Sequence, residues 1–149
     1  MLLMRASASM PIVSRPVKVK GRELLDGGIA DPIPFDFMLS RDVDRTLVIL
    51  TQPYDYVKGK ESLLPIFKIL YRGRRKGISS AMAIRHDVYN SETERLKALE
   101  KEGKVYVLRP EKPLEVGKTE KDPERLQAVY DEGRRLALAK LDEIVGYLS

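Results

Sequence analysis

Residues 46–51 read TLVILT, a continuous run of apolar and β-branched side chains. Such a run predicts a β-strand that is buried on both faces, as in a parallel sheet that helices cover. Residues 105–108, VYVL, form a second run of the same kind. Because helical patterns lie between and after these runs, the chain is predicted to have an α/β fold.

Two helices are predicted between the runs. One spans Ser62 to Tyr71, and a further one begins near Ile78 and is ended by Gly103. The sequence SETE at residues 91–94 has the spacing of a capping box. The second helix is therefore expected to stop and restart there.

The C-terminal segment, residues 111–149, is expected to be a polar connection followed by one long helix. Asp122 is the predicted N-cap of this helix and Pro123 its first residue. Apolar side chains then recur at mostly helical spacing as far as about Leu148.

The composition excludes several classes of protein. The 149 residues are 43% hydrophobic, which is enough for one ordinary globular domain. The absence of cysteine argues against a disulfide scaffold and a thiolate zinc site, and the single histidine argues against a histidine-rich metal site, so no metal is expected. No stretch of about 18 apolar residues and no signal peptide occur, which predicts a cytoplasmic location.

Residues 58–76 account for the net positive charge of the protein, although they hold only part of its Lys and Arg residues. This segment contains seven Lys or Arg residues and one acid, Glu61, whereas the whole chain has a net charge of +5. Within it, residues 63–71 read LLPIFKILY. This part is expected either to lie peripherally on an anionic membrane or to be a buried helix with a solvated basic end. The lipid-surface candidates are Arg72, Arg74, Arg75 and Lys76.

The chain contains no G-x-S-x-G nucleophile elbow and no glycine-rich phosphate loop. The nearest approach to an elbow is residues 77–81, GISSA, but a basic loop precedes it where an elbow requires a buried strand. These residues are therefore predicted to begin a helix. His86, Tyr89 and Asn90 lie close together in sequence, but such a histidine is more often structural, and they are not placed in a site.

The triplet Asp26-Gly27-Gly28 is the most informative candidate site. It follows a short hairpin, which residues 17–25 predict by their alternation around Lys20 and Gly21. A carboxylate at a strand end, followed by two residues that tolerate positive φ, can point at a reacting group. On its own, however, an Asp-Gly pair after a strand is more often a simple turn.

The residues around this triplet closely resemble the patatin-like phospholipases. The resemblance rests on residues 6–11 (ASASMP), Pro16 with Val17, and residues 24–34 (LLDGGIADPIP), taken in order. Later segments resemble the bacterial subgroup of the family, so the resemblance is expected to extend over nearly the whole chain. These segments are residues 51–53 (TQP), 85–90 (RHDVYN), 109–110 (RP) and 119–123 (TEKDP).

The resemblance implies an enzyme that hydrolyses lipid esters with a Ser–Asp dyad and without a cofactor. Asp26 is then the base that takes the serine proton, and Gly27 and Gly28 complete its motif. The implied fold is part of a three-layer α/β/α structure with a mostly parallel sheet. Residues 1–149 are expected to be the C-terminal part of a single patatin-like domain, with a lipid or another acyl ester as substrate.

The sequence departs from the family pattern at the nucleophile. The family's glycine-rich oxyanion loop and its G-x-S-x-G serine belong to an N-terminal half that these 149 residues do not contain. The chain by itself is therefore expected to be inactive. The alternative function is a non-catalytic module whose basic segment binds anionic lipid or nucleic acid, whereas the hydrolase interpretation involves no nucleic acid.

Overall fold

The computed structural model describes residues 1–73, 76–117 and 120–149, which fold as two compact units. The first unit consists of Met1–Pro34 and Val57–Arg95, and the second of Phe35–Tyr56 and Leu96–Ser149. In chain order the elements are α1 (Leu2–Ser7), β1 (Val17–Val19), β2 (Arg22–Leu24), a 3-10 turn (Gly27–Ile29), α2 (Phe35–Leu39), β3 (Leu47–Ile49), α3 (Leu64–Leu70), α4 (Lys76–Lys101), β4 (Tyr106–Leu108), α5 (Pro123–Ala139) and α6 (Leu141–Leu148).

The structure is mixed α/β, with two small sheets. Strands β1 and β2 form an antiparallel hairpin in which Val17 lies opposite Leu24, while β3 and β4 are parallel. The hairpin turns through Lys20 and Gly21, whose φ angles are 47° and 76°. Two successive left-handed residues match the right-handed twist of the strands, so the predicted hairpin is confirmed.

A small apolar core holds the first unit together. Phe67 of α3 and Tyr71, which follows the end of α3, stack with ring centroids 6.1 Å apart, and Met82 of α4 packs with them. Leu25 and Ile29, on either side of the Asp26-Gly27-Gly28 triplet, pack against this cluster. The core therefore fixes the triplet relative to α3 and α4.

Helix α4 runs without interruption through residues 91–94, so the predicted restart is wrong. Asn90, which could have capped a new helix, and Glu92 within the segment make tertiary contacts instead. Asn90 Oδ1 accepts from the Lys58 amide at 2.8 Å, and Glu92 Oε2 accepts from the Ile33 amide at 3.0 Å. The helix ends where predicted, because Gly103 adopts a left-handed φ of 70° that other residues rarely take.

Strands β3 and β4 were predicted as strands of a parallel sheet and they pair in parallel, but their predicted complete burial is wrong. Val48, Val107 and Leu108 are buried, whereas the side chain of Ile49 is 68% exposed. In the described residues each sheet has only two strands, so this pair lacks neighbours that would cover both faces. The three-layer α/β/α arrangement stays a prediction.

The prediction of a single long C-terminal helix is also wrong, because the segment divides into α5 and α6 at Lys140. Its predicted start is confirmed, since Asp122 Oδ1 accepts from the Glu124 amide at 3.0 Å. The break allows Tyr147 of α6 to donate to the carbonyl of Lys104 at 3.0 Å. This contact with the residues preceding β4 opposes continuation of a straight helix.

Candidate functional site

Asp26 caps the 3-10 turn that follows the hairpin. Its Oδ1 accepts a hydrogen bond from the Gly28 amide at 2.8 Å, and its backbone is extended, with φ −52° and ψ 128°. An aspartate in this conformation forms a local turn through its own side chain. The half-buried carboxylate is therefore held in one orientation, with Oδ1 turned toward the backbone of the glycines.

The backbone of Asp26 is anchored to the N-terminal segment. Its amide donates to the carbonyl of Ser9 at 2.9 Å, and the Oγ of Ser9 donates to the carbonyl of Arg5 at 2.7 Å. Ser9 is buried and lies two residues after the end of α1. This contact joins two of the N-terminal segments that carry the family resemblance, residues 6–11 and 24–34.

Arg85 is a part of the site that the sequence analysis missed. From the middle of α4, its Nε donates to the carbonyl of Gly28 at 2.6 Å. A Cβ added to Gly28 would lie 3.2 Å from Asp26 Oδ1 and 3.7 Å from Arg85 Nη2. Gly28 thus allows both side chains to approach its backbone closely. The only signal for Arg85 in the sequence was its position in the RHDVYN segment. Its contact with Gly28 could not be predicted from local spacing, because the two residues are 57 positions apart.

His86, Tyr89 and Asn90 do not join Asp26. Asn90 donates from Nδ2 to the Lys58 carbonyl at 3.1 Å and accepts from the Lys58 amide, while the Tyr89 ring lies 5.5 Å from Lys58 Nζ. His86 Nε2 is 3.3 Å from its neighbour Asp87, and its buried Nδ1 has no hydrogen-bond partner in the described part of the chain. The paired contacts on Lys58 hold the loop before α3 against α4.

Ser79 does not occupy a nucleophile elbow. It lies in the first turn of α4, where its Oγ donates to the carbonyl of Lys76 at 2.9 Å. The prediction of a helix start at residues 77–81 is therefore confirmed. Across residues 1–73, 76–117 and 120–149, no serine hydroxyl is hydrogen-bonded to Asp26.

The apolar segment before the basic loop buries one face and exposes another. Phe67 and Tyr71 are buried in the core, whereas Ile69 and Leu70 are 63% and 56% exposed. Exposure of Ile66 is also substantial, at 45%. One face of the helix is thus buried in the core, and the position of its exposed face on a membrane stays a prediction. Arg72 and Lys76 are exposed, while Arg74 and Arg75 lie outside the described residues.

Two open cavities lie in the second unit, with volumes of about 590 and 560 Å³. The first is formed by residues 111–116 and α5, and the second by β4, α6 and their neighbours. Asp26 lines neither cavity. Within the described ranges, no cluster of metal-ligating side chains occurs, and no helix has the length and apolar character needed to cross a membrane.

Two family models match different parts of the chain. The model of the patatin-like phospholipase family matches residues 1–39, weakly, and the model of a domain of unknown function (DUF6363) matches residues 76–149. No curated protein matches the chain. The N-terminal segment is thus similar to a family of lipid hydrolases. The expected resemblance over nearly the whole chain is confirmed only for this segment, which includes Asp26.

Proposed function

We propose that this chain is part of a patatin-like serine acyl hydrolase that cleaves lipid esters, with Asp26 as the base of a Ser–Asp dyad. One observation supports the proposal above all. The family match covers Ser9, Asp26 and Gly28, and these residues form one hydrogen-bonded unit at the end of the hairpin. A carboxylate held in this way is suited to act on a group placed beside the turn.

The orientation of Asp26 suits it to accept a proton. Oδ1 is engaged by the Gly28 amide, and no described residue donates to Oδ2. In the proposed reaction, Oδ2 takes the proton of a serine hydroxyl while the serine oxygen attacks the ester carbonyl carbon. The same proton then passes to the departing alcohol. Water, deprotonated by Asp26, attacks the acyl-serine, and the fatty acid is released as the proton passes from Asp26 to the serine oxygen.

The nucleophile in this proposal belongs to a segment outside the 149 residues. Ser79 is bonded within a helix, and Ser9 is buried with its hydroxyl directed at Arg5. Neither serine presents its oxygen to Asp26. The chain is therefore proposed to be the C-terminal part of a single patatin-like domain and to be inactive without the remainder.

The test is to express the reading frame extended upstream until it includes a G-x-S-x-G sequence. We expect the extended protein to hydrolyse a nitrophenyl acyl ester and its serine to be labelled by a fluorophosphonate. Asp26→Asn should abolish turnover, whereas Asp31→Asn, at an exposed aspartate nearby, should not. An extended protein with the serine motif but without turnover or labelling would refute the proposal.

We also propose that α3 docks on an anionic lipid surface and brings the site to its substrate. Ile66, Ile69 and Leu70 present apolar side chains to solvent, and Arg72 and Lys76 follow them in the chain. Exposed aliphatic side chains beside cations suit the headgroup region of a membrane. Nucleic acid would use the cations but not the aliphatic face, so lipid is the favoured ligand.

A further inference from the structure

We infer that Arg85 is a positioning residue for Asp26, acting through the carbonyl of Gly28. The inference rests on the proposed function, since it concerns the orientation of the proposed base. It assigns to α4 a role in the site that neither family match describes. Arg85 itself lies inside the DUF6363 match, whereas Asp26 lies inside the patatin-like match.

The hydrogen bonds of the turn converge on Gly28. Its amide donates to Asp26 Oδ1 at 2.8 Å, and its carbonyl accepts from Arg85 Nε at 2.6 Å. The amides of Ala30 and Asp31 both donate to the carbonyl of Gly27, at 3.0 and 3.1 Å. The carbonyl of Gly27 thus accepts hydrogen bonds from within the turn, whereas the carbonyl of Gly28 accepts one from a side chain of α4. Loss of that side chain would leave the peptide between Gly28 and Ile29 held only by its amide, which donates to the carbonyl of Asp26 at 3.3 Å.

Helix α4, which carries Arg85, is itself anchored by packing and by a second hydrogen bond. Met82, three residues before Arg85, is buried in the core with Phe67 and Tyr71. Further along the helix, Glu92 accepts from the amide of Ile33, beyond the triplet. The same helix therefore holds the DGG segment at two points, one on the triplet and one after it.

Arg85 approaches Asp26 without binding its carboxylate. Asp26 Oδ1 and Arg85 Nη2 would lie 3.2 and 3.7 Å from a Cβ added to Gly28, and the two side chains form no ion pair. A direct ion pair would engage the carboxylate oxygens that the proposed reaction needs. Acting through the Gly28 carbonyl, Arg85 restrains the turn and leaves Oδ2 of Asp26 open.

Amide hydrogen exchange in this chain tests the positioning directly. We compare the wild type with Arg85→Met, Arg85→Lys and, as a control, Arg134→Met at an exposed arginine of α5. Losing a hydrogen bond from a charged donor should speed exchange of the Gly28 and Ile29 amides about tenfold in Arg85→Met. Arg85→Lys, which can still donate, should recover most of the protection. Unchanged exchange at Gly28, or an equal increase across all amides of the first unit, would overturn the inference.

The catalytic consequence is measured in the extended, serine-bearing protein. Arg85→Met should lower kcat about tenfold or more with little change in KM, and Arg85→Lys should restore part of it. If that protein is active and Arg85→Met keeps the wild-type kcat, the inference fails while the proposed function stands. If the extended protein is inactive, the proposed function fails and the exchange experiment alone decides whether Arg85 orders the turn.

Discussion

The amide of Asp26 donates to the carbonyl of Ser9 at 2.9 Å and so ties the turn after β2 to the end of α1. The bond links residues 6–11 and 24–34, two of the N-terminal segments that resemble patatin-like phospholipases. With Gly28 and Arg85 it forms a continuous series of contacts from α1 to α4. The proposed base is thus held by three separate parts of the first unit.

The 149-residue chain should not hydrolyse short acyl esters. The hydroxyl of Ser79, in the sequence nearest to an elbow, donates to its own helix at Lys76. We therefore expect no release of nitrophenol above background, and the same result for Ser79→Ala. Turnover that disappears in Ser79→Ala would show that this helix opens to provide a nucleophile.

In the extended enzyme, Asp26→Asn should lower kcat about 10² to 10⁴-fold, the usual range for loss of general-base assistance. Folding should be unaffected, because the Asn Oδ1 can still accept from the Gly28 amide as Asp26 Oδ1 does at 2.8 Å. Steady-state kinetics and a thermal melt measure the two effects. If the Asn variant kept more than a tenth of the wild-type kcat, Asp26 would have a structural role in the turn and would not be the base.

Binding of the protein to vesicles should depend on both the charge and the exposed apolar face of α3. Replacing Arg72, Arg74, Arg75 and Lys76 with Gln should remove most of the preference for anionic over neutral vesicles. Each basic residue near such a surface contributes about 1 kcal/mol, and salt screens the attraction within about 8 Å.

A second variant, Ile66→Ser with Ile69→Ser, should weaken binding to anionic vesicles even at low salt. Ile84→Ser is the matched control, because Ile84 is also exposed but lies on α4. Duplex DNA is titrated in parallel with cosedimentation on vesicles. Equal vesicle binding by all variants would show that α3 is merely a solvated helix, and tighter binding to DNA would favour the nucleic-acid alternative.

Asn90→Ala should destabilise the protein by about 1–3 kcal/mol, because it removes two hydrogen bonds to part-buried backbone groups. Asn90 bonds both the amide and the carbonyl of Lys58, at 2.8 and 3.1 Å, and alanine leaves both without this partner. Ser91→Ala, at the exposed neighbouring position, should change stability by no more than about 0.5 kcal/mol. Urea unfolding of the two variants compares them directly, and equal stabilities would contradict the assigned role.

The contact of α6 with β4 should weaken in acid. Lys140 donates to Glu143 at 2.7 Å and Tyr106 donates at 3.0 Å, and these bonds lower the pKa of Glu143 from its ordinary value of 4.5. A lowered pKa in the folded state stabilises the protein above pH 4.5, and this stabilisation is lost as the pH falls through the folded value. Glu143→Gln should therefore lower the free energy of unfolding at pH 6 and lower it much less at pH 3.

Urea unfolding at both values of pH measures this difference, with Glu115→Gln as the control at an exposed carboxylate. A stability difference between wild type and Glu143→Gln that is the same at pH 6 and pH 3 would contradict the linkage. Salt should reduce the difference, because the groups involved are exposed to solvent.

Several elements were predictable because a few neighbouring residues determine them. Gly103 ends α4 because glycine tolerates the left-handed φ of 70°. Asp122 begins α5 because its side chain reaches the amide two residues later. Lys20 and Gly21 reverse the hairpin for a similar local reason. In each case the favourable conformation depends on bonds within about three residues, which the order of amino acids shows directly.

Other features depended on partners that are distant in the chain. Residues 91–94 look like the start of a helix, but Glu92 is bonded to Ile33 and Asn90 to Lys58, so α4 continues through them. The C-terminal helix breaks at Lys140, where the tertiary contacts of α6 begin. The sequence by itself determined the hairpin, the parallel strands and the position of Asp26 after a strand. Only the tertiary structure decided that Arg85 holds the Gly28 carbonyl, because local propensity carries no information about which distant donor meets an acceptor.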